Sequence, residues 1–296
     1  MKKILAWILT VILTVGLLGG CVAGKTAVLF VEDTQTDQAK LIWAGFSAAA
    51  KKMGMKPVLS GLTEESSLAY TVFQIWEQDI AEHEPDVMAV VGLSDSDMYS
   101  IFLDQQEIPV VAIDPIEFSR MHEYFCVYSA SDEDLSRMAA QNIIGMQLPT
   151  SGRIRLLYNK EDVIVRDTFV GMLESAGYNN FETTPLSGRI TDQSLLNNFS
   201  EDTVGIYNAS DYDTDAEDLS NLILADVTTA HLASIQNDQA SSILCRNEYT
   251  VGDQAARACG SALRKKDVTA VTVDPILVTK SGPDQNGIAF WLDLLN

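Results

Sequence analysis

From Thr26 onward two hydrophobic patterns alternate along the chain. Short β-branched runs, suited to strands buried on both faces, give way to longer segments whose apolar residues recur at helical intervals. Thr26 to Val31 predicts a first strand and Gln38 to Met53 the helix that follows it, stopping before Gly54. Further strands are expected over Pro57 to Leu59, Asp86 to Leu93 and Pro109 to Ile113, and helices over Ser67 to Glu82 and Ser96 to Gln106. After Asp114-Pro115 the rhythm restarts. Phe125 to Tyr128, Arg153 to Tyr158 and Thr203 to Tyr207 read as strands, and Asp132 to Met146, Arg166 to Ser175 and Ala216 to Ala225 as helices. A helix over Val251 to Arg264 and strands over Val268 to Val273 and Ile276 to Thr279 complete the pattern. Such alternation predicts an α/β fold of two Rossmann-like lobes, each a mainly parallel sheet flanked by helices. Ligand crevices in such sheets lie beyond the carboxyl ends of the strands. No repeat of solenoid period and no low-complexity linker interrupts it.

The segment before Thr26 is different. Lys2 and Lys3 precede an apolar run from Ile4 to Leu18, too short to span a bilayer comfortably but suited to an export signal. Leu18-Gly19-Gly20-Cys21 resembles the bacterial lipobox, in which the cysteine thiol receives diacylglycerol. Residues 1–20 are therefore read as a lipoprotein signal peptide. Cys21 becomes the lipidation site, and the mature chain is expected on the extracytoplasmic face of a cell membrane.

Lys2 and Lys3 leave with that peptide, so 18 basic residues stand against 41 acidic ones and the formal charge moves from -21 to -23. A surface so acidic repels nucleic acid and anionic headgroups, which argues against DNA binding and against a peripheral basic membrane patch. Cys126, Cys245 and Cys259 sit in apolar contexts and read as small buried hydrophobes, with one disulfide among them left open. His83, His122 and His231 have no Cys or His within helical reach, so neither a zinc site nor another metal or cofactor is expected. The sequence also lacks a Walker loop, a Gly-x-Ser-x-Gly elbow and a Gly-x-Gly-x-x-Gly fingerprint. These features favour binding over catalysis, with a carboxylate-based hydrolase as the enzymatic alternative.

Several segments, taken in order, resemble type I periplasmic binding proteins of the sugar-binding kind, the ribose- and galactose-binding group. They are Trp43-Ala-Gly45-Phe46 through Gly54, Ile108-Pro-Val-Val-Ala-Ile-Asp114, Arg166 ahead of Gly171, Ile206-Tyr-Asn208-Ala-Ser210-Asp211, and Cys245-Arg246-Asn247-Glu248-Tyr249 through Gly252. The resemblance implies two discontinuous lobes, residues 21–118 with 248–275 and residues 119–247 with 276–296. It also implies three crossings, near Ile116 to Phe125, Arg246 to Tyr249 and Asp274 to Leu277, and hinge closure over a small polar ligand, a carbohydrate by class. The family's Asn-Pro-aromatic segment after the first strand is replaced by Glu32-Asp33-Thr34-Gln35-Thr36, which removes the aromatic that would stack on a sugar.

Polyhydroxylated ligands need carboxylates, amides and planar guanidinium forks at strand ends. The candidate ligand-binding residues are Asp33, Thr34, Asp95, Asp114, Arg166, Asp211, Asn237, Asp238 and Arg246. Asp33 and Asp95 have an alternative role as helix caps. The expected membrane partner is an ABC permease or, if the protein senses rather than transports, a receptor kinase.

Overall fold

A computed structural model describes residues 22–63, 72–92, 101–102, 104–115, 123–186, 202–210, 221–267 and 269–295. The chain divides into two compact units, Met1–Ser129 with Glu248–Val273 and Ala130–Asn247 with Asp274–Asn296. It therefore passes between them three times, after Ser129, Asn247 and Val273.

The first unit is built on a wholly parallel six-stranded sheet. Its strands are β1 (Thr26–Asp33), β2 (Lys56–Leu62), β3 (Val87–Val91), β4 (Val110–Ile113), β5 (Phe125–Tyr128) and β11 (Ala270–Thr272), in the order β11-β5-β4-β3-β1-β2. β1 is apolar without alternation because both faces are covered. Ala27, Leu29 and Val31 face α1 (Asp37–Lys52) and α6 (Glu248–Leu263), whereas Val28 and Phe30 face α2 (Val72–His83). Trp76 of α2 is fully buried there, ringed by Phe30, Phe73 and Phe102 at centroid distances of 5.0–5.4 Å. Phe125 to Tyr128 was expected to open the second lobe. The pairing of β5 with β4 and β11 places it in the first sheet, so the break expected after residue 118 falls after Ser129.

Gly45 and the alanines of α1 suggest close packing on the sheet, but Gly45 serves a helix–helix contact instead. A Cβ on Gly45 would lie 1.8 Å from the Tyr249 carbonyl oxygen, and one on Gly252 would lie 1.9 Å from that of Ile42. α1 and α6 thus touch backbone to backbone, a distance that only glycine permits.

The second unit repeats the plan with strands β6 (Arg153–Asn159), β7 (Phe181–Leu186), β8 (Thr203–Ala209), β9 (Leu222–Ala225), β10 (Ser242–Cys245) and β12 (Ile276–Val278). Their order is β12-β10-β9-β8-β6-β7, parallel except for the antiparallel edge strand β12. Ile154, Leu156 and Tyr158 of β6 pack against α3 (Asp132–Gly145) and α4 (Val163–Ser175). α5 (Thr229–Gln236) lies between β9 and β10, and α7 (Ile288–Leu295) packs on α5 with Trp291 fully buried. Of the helix expected over Ala216 to Ala225, residues 216–220 lie outside the described residues and Leu222–Ala225 is corrected to β9: a four-residue apolar run suits either state, and pairing between β8 and β10 decides it. Cys126, Cys245 and Cys259 are free and buried.

α3 begins with a reciprocal cap. The Ser131 hydroxyl accepts the Asp134 N–H while the Asp134 carboxylate accepts from the Ser131 backbone and hydroxyl. The Ser131 hydroxyl is the main influence lowering the Asp134 pKa. Burial opposes it, and the Ser131 N–H and Arg137 add to it. A depressed carboxyl stabilises the fold above its unfolded value, here 3.8, and that contribution is lost as pH falls through the lower folded value. Ser131→Ala is expected to cost about 1 kcal/mol at neutral pH. The gap to wild type should narrow as acid titration protonates Asp134, leaving the part due to the Ser131 hydroxyl that accepts the Asp134 N–H, as read by denaturant midpoints.

Candidate ligand site at the strand ends

The first sheet reverses its strand order between β1 and β3, and at such a switch point the loops leave in opposite directions and open a crevice beyond the carboxyl ends. A pocket of about 300 Å³ lies there, lined by Val31, Glu32 and Asp33 at the end of β1, Leu62 at the end of β2, and Val91 and Gly92 at the end of β3. The first turns of α1 close it with Thr36, Gln38, Ala39 and Ile42. Its floor is apolar and its rim carries two carboxylates, a hydroxyl and an amide.

Local hydrogen bonds set that rim. Thr36, not Asp33, caps α1: its Oγ1 accepts the Ala39 N–H at 3.2 Å and donates to the Asp33 carbonyl at 3.2 Å. Asp33 Oδ1 accepts the Gln35 N–H at 2.8 Å, which turns the chain at the pocket edge. Among the described residues neither Glu32 nor Asp33 meets a cation. Thr34 points elsewhere. Its N–H and its hydroxyl both donate to the Leu62 carbonyl, clipping the loop to the end of β2. Below the pocket, the indole N–H of Trp76 donates to the Val31 carbonyl at 3.1 Å and fixes the last turn of β1 from the opposite face.

Asp114 stands at the end of β4 in the left-handed region, φ 43°, and its Oδ1 accepts the Ser129 N–H at 2.6 Å. Its carboxylate holds the turn preceding the first crossing and is not among the pocket-lining groups.

In the second unit the switch point lies between β6 and β8. Asn208, at the end of β8, is buried, and its Oδ1 accepts both the hydroxyl and the backbone N–H of Ser210. Arg166 lies in α4, its guanidinium bound through Nε and Nη2 to the neighbouring Asp167 carboxylate. Arg246 follows β10 and is enclosed. Nε donates to Asp226 at 3.1 Å, Nη1 to the Ala130 carbonyl at 2.8 Å, and Nη2 to the Asp132 carboxylate. Burial pushes the Asp226 carboxyl up, Arg246 opposes it, and Asp132 adds to the rise. Arg246 therefore ties the root of the first crossing, at Ala130, to the end of β9.

Asn237 and Asp238 are placed away from the strand ends. They terminate α5 just before β10, at the amino edge of the second sheet, where Asp238 pairs with Lys280 at 2.7 Å. A helix running antiparallel to its strands returns its last turn to that edge, so these two residues cannot line a carboxyl-end crevice of their own sheet. Cys21, Asp95 and Asp211 lie outside the described residues. Glu32, Thr36 and Gln38 were not among the expected ligand contacts. A Thr immediately before a helical repeat is the signal that would have found the cap, and with it the two neighbours that share its turn.

No protein-family model matches the chain and no curated protein matches it. Solved structures do. The arabinose-binding protein AraP of Geobacillus stearothermophilus is 14% identical with a TM-score of 0.66, over 87% of this chain and 97% of that one. GanP, a glucose-galactose binding protein of the same organism, is 14% identical with a TM-score of 0.63, over 88% of this chain and 99% of that one. A chain of the XylFII–LytSN complex is 16% identical with a TM-score of 0.58, over 87% and 98%. At these identities the likeness establishes the fold, the two-lobed architecture of type I periplasmic binding proteins.

Proposed function

We propose that this protein is a lipid-anchored extracytoplasmic solute-binding protein that closes by a hinge over a small polar ligand of the carbohydrate class and delivers it to an ABC permease. The observation that carries this reading is the pocket at the β1/β3 switch point, with Glu32, Asp33, Thr36 and Gln38 on its rim. Carboxylates accept pairs of hydroxyl donors and the amide both donates and accepts, which suits a polyol. The solved relatives named for arabinose and for glucose and galactose support the ligand class, and the three crossings of the chain support hinge closure. The reading is of a binding site and not an active site. Glu32 and Asp33 are neighbours at the end of a single strand, whereas a glycosidase holds its two carboxyl groups on either side of the scissile bond. Anchoring through Cys21 rests on the lipobox-like Leu18-Gly19-Gly20-Cys21.

A second reading, a ligand sensor that reports to a membrane kinase or receptor, draws on the similarity to a chain of the XylFII–LytSN complex, a binding-protein fold solved with another protein. Co-purification from membranes separates the two: a permease with its ATPase supports delivery, a kinase supports sensing.

Thermal unfolding against a panel of pentoses, hexoses, polyols and amino sugars tests the binding role. A ligand at a hundred times its Kd adds about 2.7 kcal/mol to stability, which for a protein of this size raises Tm by roughly 5–10 °C. Asp33→Asn should weaken that ligand about tenfold by removing a charged acceptor. If no compound on the panel moves Tm, the proposal fails.

A further inference from the structure

The strong negative charge of the chain conceals a local excess of the opposite sign. Of the 18 basic residues that follow the leader, seven gather at one edge of the first unit: Lys25, Lys51, Lys52, Lys56, Arg264, Lys265 and Lys266. The fold brings them together. Lys25 and Lys56 stand at the starts of the paired strands β1 and β2, and their residues are bonded, Lys56 N–H to Lys25 carbonyl at 2.8 Å. Lys51 and Lys52 end α1 and residues 264–266 follow α6, two helices that run side by side in the same direction. The glycine contacts fix that alignment, since Gly252 meets Ile42 near the start of the pair and a Cβ on Gly260 would lie 3.1 Å from Met53 Sδ at its end.

The first described residues lie at this same edge. Val22 is buried in the first core at 1% exposure, and the Gly24 N–H donates to the Gly54 carbonyl at 2.7 Å, between Lys52 and Lys56. One trans peptide, about 3.8 Å between Cα atoms, separates Val22 from Cys21. A lipid on Cys21 would thus be attached without a tether.

We infer that the amino edge of the first sheet, on its α1–α6 side, is a membrane-contact surface for anionic lipid headgroups, seated by the acyl chains of Cys21 and turning the β1/β3 pocket away from the bilayer. The inference rests on the lipid anchor proposed above. Lysines in the last turn of α1 also complement the helix dipole, but Lys25, Lys56, Lys265 and Lys266 lie outside the helices and are not accounted for that way. The acidic groups of the same edge are distributed unevenly. Asp86 pairs with Lys25, Asp267 follows Lys266, and the exposed Glu107 and Glu123 precede β4 and β5, away from β1 and β2 in the strand order, whereas Glu82 and Glu84 belong to the end of α2, which covers the opposite face of the sheet. Attraction of this kind decays within a Debye length, about 8 Å at physiological salt, so it needs the close approach that a tetherless anchor enforces. With a net charge of -23 the whole chain is repelled by such a surface, and the basic edge therefore selects an orientation more than it adds affinity.

The test uses the processed, acylated protein in phosphatidylcholine vesicles with and without phosphatidylglycerol, probed by an amine-reactive reagent and read lysine by lysine in a mass spectrometer. Labelling of Lys51, Lys52, Lys56, Lys265 and Lys266 is expected to fall about threefold or more when phosphatidylglycerol is present and to recover in molar salt. Lys40, in the first turn of α1 and so roughly 18 Å away along the helix from Lys52, should not change. In the variant K51Q/K52Q/K265Q/K266Q, protection of Lys56 should disappear while the melting temperature holds. Equal labelling in both vesicles, or equal protection of Lys40, overturns the inference while leaving the anchor and the binding role intact. An N-terminal peptide that carries no acyl chain overturns the anchor and this inference with it, and leaves the sugar panel to judge the binding role.

Discussion

Gly252→Leu is expected to prevent the first unit from folding, and even Gly252→Ala should cost about 3 kcal/mol, the upper end of what overpacking exacts. The added Cβ would sit 1.9 Å from the Ile42 carbonyl oxygen and 2.7 Å from the Phe46 nitrogen, both backbone atoms of α1. Backbone cannot rotate away as a side chain does. The helices would have to separate, and with them the core that Ile42, Phe46, Val251 and Ala255 share. For a protein of this size that cost corresponds to a fall in Tm of roughly 6–12 °C, measurable by calorimetry. Gly171→Ala is the control. It lies within α4 with nothing within 4 Å of the new Cβ, so alanine there should stabilise by about 0.5–1 kcal/mol. If Gly252→Ala and Gly171→Ala melt alike, α1 and α6 do not meet as described.

The same contact shows what was legible in the sequence. The Gly45 signal for close approach was visible, but not its partner, because a glycine advertises that something comes near without saying what. The strands of the first unit could be read because continuous β-branched runs such as Thr26 to Val31 suit burial on both faces and little else. Residues 222–245 could not. β9 and β10 are four residues each and α5 only eight, too short for either period to register, and Leu222-Ile-Leu-Ala225 suits a helix as well as a strand until its neighbours pair. That loss carried the site with it. Asp226 is a strand-end carboxylate only once β9 exists, and without Asp226 and Asp132 in view Arg246 looked like a ligand fork. In the structure its guanidinium clamps the root of the first crossing. Asn237 and Asp238 were misplaced for the same reason, since the edge on which a helix ends is set by the strands around it. Asp33 ends β1, where the chain must leave the sheet, and the strand pattern alone places it at the pocket edge.

Trp76→Ala is expected to cost about 3–5 kcal/mol, the range for emptying a fully buried aromatic site. Its ring packs against Phe30, Phe73 and Phe102 on the α2 face of the first sheet. Trp76→Phe divides the effect. Phenylalanine keeps most of the ring contacts but leaves the Val31 carbonyl without the indole N–H, a buried acceptor whose loss costs about 1–3 kcal/mol. That carbonyl belongs to the residue before Glu32 and Asp33, so the phenylalanine variant should also loosen the rim of the pocket. Hydrogen exchange at the Glu32 and Asp33 amides should quicken more than the global loss of stability explains, and affinity for whatever ligand the sugar panel identifies should drop while the α1–α6 core remains protected. An exchange profile in Trp76→Phe that is uniformly faster across the first unit would mean that the indole supports the core alone and does not position the site.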